Sequence, residues 1–97
     1  MARVELAAAT VEDLDALTRT HSLPDDTRAR VRRCLRQLEQ FPRLGPQLGG
    51  GRWAGLRFIL GPWRWMPLVY QFDEAADRCV VVTVQDARAS RAATATR

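Results

Sequence analysis

The chain predicts an α+β fold: an N-terminal strand, a two-helix hairpin, then a three-stranded antiparallel meander. Three observations carry this expectation. Apolar and polar residues alternate over "RVELAA"; apolar residues recur at three- and four-residue spacing between Thr10 and Phe41; alternation returns from Leu56 onward. Ninety-seven residues with 46% apolar composition suffice for one core. A single domain is expected over residues 1–90, followed by a frayed tail at 91–97 within the Ala/Thr/Arg-rich stretch that starts at Ala89.

Val4 and Leu6 alternate with Arg3 and Glu5, the period of a short strand. In "TVEDLDALTRTHSL", Val11, Leu14, Leu17 and His21 share one helical face. Thr10 is the expected N-cap, with Glu12 and Asp13 in the first turn, where the helix dipole favours them. A second helix is expected over "SLPDDTRARVRRCLRQLEQF". Pro24 suits its first turn, Val31, Cys34, Leu35, Leu38 and Phe41 form a buried stripe, and Arg28, Arg32, Arg33 and Arg36 occupy the opposite face. "FPRLGPQLGGGRW" is rich in breakers and reads as a loop.

The runs "LRFIL", "PLVYQF" and "CVVVTVQ" are strand-like, joined by Gly61-Pro62 and by "DEAAD". The last is apolar on both faces, which places it centrally and in parallel with the first strand. Leu56, Phe58 and Leu60 are expected to face the core, with Arg57 emerging on the other side. Pro67 interrupts hydrogen bonding near the start of the third strand, so a bulge or an edge is expected there.

Charge is unevenly distributed. Residues 1–27 carry two arginines against six carboxylates, net −4, whereas residues 28–64 carry nine arginines against Glu39 alone, net +8. Such a basic middle suits a polyanionic partner, of which nucleic acid is the commonest. No charged leader precedes a long apolar run, and no stretch approaches the roughly 20 apolar residues of a membrane span, so a soluble, cytoplasmic protein is expected.

Several chemistries find no residues to carry them. Cys34 and Cys79 lie inside apolar patterns and read as core. His21, the chain's one histidine, sits on the apolar side of its helix and reads as structural. The sequence offers no Ser-His-Asp or Cys-His arrangement and no His/Cys cluster for a metal, and "LGGGRW" lacks the Lys-Ser/Thr of a phosphate loop. No cofactor is expected.

What remains is arginine on a sheet. Arg57, Arg64 and Arg88, on neighbouring strands, would make a cationic floor that clamps phosphate through paired N–H donors. Trp63 and Trp65 flank Arg64. They are suited to stacking an unpaired base, to forming an apolar patch that a partner covers, or to burial beneath the helices. Arg52 and Arg91 extend the expected nucleic-acid-binding set.

The ordered segments "VELAAATVEDLDAL", "LRQLEQFPRLGPQL", "GLRFILGPWRWMPLVYQFDE" and "VVVTVQDARAS" resemble the RelE/ParE superfamily of type II toxins, over roughly residues 3 to 90. The helix-end motif is Leu38, Pro42, Gly45 and Leu48; the hairpin motif is Gly55, Arg57, Gly61 and Arg64, with Tyr70 downstream. The resemblance implies a toxin silenced by a cognate antitoxin protein. It further implies either ribosome-dependent mRNA cleavage through the RNA 2′-hydroxyl, with Arg57, Arg64 and Arg88 as catalytic residues, or ParE-like inhibition of DNA gyrase. A catalytically silent antitoxin- or nucleic-acid-binding module is the remaining alternative.

This chain departs from that pattern at the proton-transfer groups. RelE-like nucleases commonly add lysines and a C-terminal tyrosine or histidine, but this sequence has no lysine, and no tyrosine or histidine follows Tyr70. Arginine, with a pKa above about 12, is a poor general base. Proton transfer is thus left without an assigned side chain.

Overall fold

A computed structural model describes residues 1–49 and 51–88, the side chain of Arg52 excepted. The tail at 91–97 and Arg91 lie outside the described residues. Strand β1 (Arg3–Leu6) leads into helix α1 (Ala8–Thr20), helix α2 (Thr27–Leu35) and the one-turn α3 (Gln37–Gln40). A short 3₁₀ turn at Gly51–Trp53 precedes strands β2 (Arg57–Leu60), β3 (Pro67–Asp73) and β4 (Arg78–Val84). The sheet order is β1-β4-β3-β2, with β1 parallel to β4 and the other pairs antiparallel. The α+β layout and the central place of the last strand match the sequence expectation.

Leu14, Val31, Leu35 and Leu38 from the helices bury against Ile59, Met66, Leu68, Tyr70, Cys79, Val81 and Val84 from the sheet side. Cys79 is a core residue and Cys34 is half-buried against the same cluster. Burial raises both thiol pKa values, which keeps them protonated and inert.

Helix α1 starts earlier than its sequence signals. Ala7 is the N-cap, and its N–H continues the parallel ladder to the Val81 carbonyl. Thr10 is therefore not a cap: it is fully buried, and its hydroxyl donates to that same carbonyl. Sheet pairing, which satisfies the backbone at Ala7, outweighs local capping preference. At the other end, Ser22 takes a left-handed conformation (φ 51°), Leu23 N–H donates to the Thr18 carbonyl and Ser22 N–H to that of Arg19. This double closure is a Schellman turn. It ends α1 with His21 as C-cap.

The second helix is shorter than its apolar stripe. Pro24 stands outside it, accepting hydrogen bonds from the N–H and hydroxyl of Thr27, and the helix breaks at Arg36 before resuming as α3. Phe41, expected in the core, is exposed, because the chain has already left the helix and turned along the sheet edge. Strand β2 is also inverted relative to expectation. Arg57 pairs with Tyr70 and Ile59 with Leu68, so Arg57 shares the core-facing side with Ile59, while Leu60 is exposed. The register shift falls between Val69 and Tyr70, whose β4 partners are Thr83 and Val81.

That inversion serves a clamp. Tyr70 is fully buried; its hydroxyl donates to the Pro42 carbonyl (2.8 Å) and accepts from Gly45 N–H (3.0 Å). Arg57 Nη1 donates to the carbonyls of Gly45 (2.7 Å) and Arg43 (3.2 Å). The loop is thereby pressed onto β2, where a Cβ at Gly45 would collide with the Phe58 carbonyl oxygen. Burial raises the Tyr70 pKa above its usual range and keeps the hydroxyl a donor.

Three stability outcomes follow. Gly45→Ala should lose about 1–3 kcal/mol or more in urea unfolding, as overpacking against backbone does, and Tyr70→Phe about 1–3 kcal/mol through two unmet buried polar groups. Ser22→Gly should gain up to about 1 kcal/mol by relieving the left-handed residue, read in the same titration.

Candidate nucleic-acid interface

The β2–β3 connection is a tight turn. Gly61 N–H donates to the Met66 carbonyl (2.8 Å) and Met66 N–H to that of Trp63 (3.0 Å), which throws Trp63, Arg64 and Trp65 to the rim of the sheet. The two indoles stack, with centroids 6.0 Å apart and planes 18° from parallel, and both pack partly against the core. They are neither fully exposed platforms nor buried beneath the helices. Arg64 projects into solvent and pairs with no described carboxylate.

Beyond β4 the chain keeps pairing. Gln85 N–H donates to the Pro67 carbonyl (3.1 Å) and Ala87 N–H to that of Trp65 (2.7 Å), which carries Asp86 and Arg88 to the rim. Arg88 Nε and Nη2 grip the Asp86 carboxylate at 2.9 Å each, and the guanidinium lies 4.8 Å from the Trp65 ring centroid. His21 reaches the same carboxylate from the end of α1, with Nε2 3.3 Å from Asp86 Oδ2 and its ring 4.9 Å from that of Trp65. From α2, Arg30 lies 5.9 Å from the Trp63 ring while paired to Asp26. A shallow groove of about 450 Å³ continues past it, lined by Asp26, Arg30, Arg33, Cys34 and Pro62.

The Arg88 hydrogen bonds, helped by charge from Arg88 and His21, hold the Asp86 pKa below the ordinary carboxylate range. The carboxylate is thus an ionised hub between a guanidinium and an imidazole. Its side chain is 17% exposed and that of His21 28%, so the pair is reachable from solvent without being loosely held.

The three arginines singled out in the sequence do not converge. Arg64 and Arg88 share the rim, whereas Arg57 lies at the far end of β2, about 10 Å along the strand, engaged with the loop carbonyls. The Arg52 side chain and Arg91 are outside the described residues. What sequence reasoning missed is the His21–Asp86 pairing. Periodicity placed His21 on the helical face; in the structure it is the C-cap, so its ring is free to serve a neighbouring element.

No protein-family model matches the chain, and no curated protein matches it. Among solved structures it is similar to a metal-bound toxin from Helicobacter pylori, at 18% identity and a TM-score of 0.62, over 89% of this chain and 94% of that one. At that identity the likeness is one of fold. Among the described residues no three His, Cys, Asp or Glu side chains gather to hold a metal ion, and no helix is long and apolar enough to cross a membrane.

Because the folded pKa of Asp86 is depressed, its ion pairs stabilise the rim fully above the ordinary carboxylate value of about 3.9. That contribution is lost as pH falls through the depressed value. Acid titration followed by tryptophan fluorescence should show a rim transition below pH of about 4, and Asp86→Asn should abolish it, since Trp65 reports on both Arg88 and His21.

Proposed function

We propose that the chain is the toxin of a type II toxin–antitoxin pair, a ribosome-dependent mRNA interferase of the RelE/ParE kind, held silent by a cognate antitoxin protein. The observation that carries this reading is the rim itself: stacked tryptophans, the exposed Arg64 that follows Trp63 in the chain, and a second arginine, Arg88, over an indole. Aromatic faces accept any unpaired base, and guanidinium groups hold the adjoining phosphate. The fold shared with the Helicobacter pylori toxin and the ordered motifs of the chain support the same reading.

The arginines divide the work. Arg64 is the freer cation, and it contacts the backbone phosphate and the charge that develops on it. Arg88 has Nε and Nη2 committed to Asp86 and turns its remaining N–H groups to the phosphate. Arg57 is a positioning residue, fixing the loop at 43–45 that borders β2. Arg52 and Arg91 add diffuse attraction. Arg32 and Arg33 on α2 and Arg36 at the break that follows it, all exposed, extend the basic surface toward ribosomal RNA.

Purified protein added to a cell-free translation reaction should cut ribosome-bound mRNA, mapped by primer extension. In binding titrations, Arg64→Ala and Arg88→Ala should each shallow the dependence of log affinity on log salt by about 0.7, the value for one contact to a single strand. Intact mRNA together with lost gyrase supercoiling would instead assign the chain to the gyrase-inhibiting branch.

A further inference from the structure

Cleavage at the rim needs a proton acceptor, and the groups placed there are few: His21, Asp86 and, in the adjoining groove, Asp26, which is engaged by Arg30. The cleavage proposed above removes a proton from a 2′-hydroxyl, which needs a base that titrates near neutral pH. Arginine cannot serve, with a pKa above about 12. Tyr70 is fully buried, bonded to the 42–45 loop and pushed to higher pKa by burial. Burial likewise raises both thiols. Asp86 is held ionised by Arg88 and is correspondingly weak as a base. His21 is the sequence's one imidazole, and it stands at the rim.

We infer that His21 is the general base of the RNA cleavage and Asp86 its positioning residue, an inference that rests on the interferase reading. Nε2 of His21 lies 3.3 Å from Asp86 Oδ2, a contact that favours the proton on Nε2 and leaves the Nδ1 lone pair to accept the proton. Arg88, gripping the same carboxylate through two N–H groups, stops Asp86 from turning away. The Schellman turn at Ser22 fixes the backbone that carries His21, and Trp65 limits the tilt of its ring.

The step balances without a metal or a cofactor. The 2′-oxygen forms a bond to the adjacent phosphorus as its proton passes to His21 Nδ1. The bond from phosphorus to the 5′-oxygen breaks, its electron pair leaves with that oxygen, and the oxygen takes a proton from water. The products are a 2′,3′-cyclic phosphate end and a 5′-hydroxyl end, and His21 returns its proton to the hydroxide left in solvent.

The test is single-turnover cleavage of ribosome-bound mRNA across pH, by the full chain and its variants. His21→Gln should cut at least about 100 times more slowly with ribosome affinity unchanged, and should lose the rising limb that a general base gives the pH–rate profile. His21→Ala should regain rate when imidazole is added, which a packing role would not allow. Asp86→Asn should cut more slowly and keep that limb. If the wild-type chain cleaves and His21→Gln cleaves equally fast, or imidazole restores nothing to a folded His21→Ala, the inference fails while the interferase reading stands. If the wild-type chain leaves mRNA intact, both fall.

Discussion

Backbone pairing along β4 is the constraint on which the remaining geometry depends. This strand is bonded on one side to β1 in parallel and on the other to β3 in antiparallel register. Its Val81 carbonyl also anchors the start of α1 through Ala7 N–H and the Thr10 hydroxyl. A helix tied to the central strand at its first turn has little freedom at its last. When pairing then continues past Val84 to Pro67 and Trp65, the end of α1 and the exit of β4 must meet at the same rim. The His21–Asp86 contact follows from two hydrogen-bonded rows converging, with no local motif to create it.

The two arginine-bearing regions differ in what satisfies them. At the inner end of β2, Arg57 meets fixed backbone carbonyls, and Tyr70 closes the same loop from below. Donors whose acceptors are already present hold structure. At the rim, Arg64 faces water and Arg88 shares a carboxylate with an imidazole above an indole. Charges placed over aromatic faces and open to solvent are the ones that an incoming anion can recruit, because little protein structure must be dismantled to reach them. The fold thus uses one residue type for two purposes, and the surroundings decide which.

Tyr70 also explains where strand reading went astray. Alternation over "GLRFIL" requires only that Arg57 and Phe58 point to opposite sides; it does not say which side is the core. Hydrophobicity argued for Phe58 and Leu60 inward. The pairing of Arg57 with Tyr70 decided otherwise, because the loop carbonyls of Arg43 and Gly45 offered Arg57 partners that water would otherwise have supplied. Phe41 went astray for a related reason. Its spacing continued the helical stripe, but the helix broke at Arg36 and the chain turned to cover the edge of β2.

Periodicity, breakers and charge order are properties of neighbours within a turn or two, so the sequence alone determined the four strands and the helical region between the first two, the central apolar strand and the basic middle of the chain. Which face Arg57 presents, and that His21 and Asp86, 65 residues apart, meet at 3.3 Å, were decided only by tertiary structure. Local patterning reports how each segment divides apolar from polar. Which distant segments then satisfy one another's polar atoms is set by how the helices and sheet pack, and no single segment carries that information.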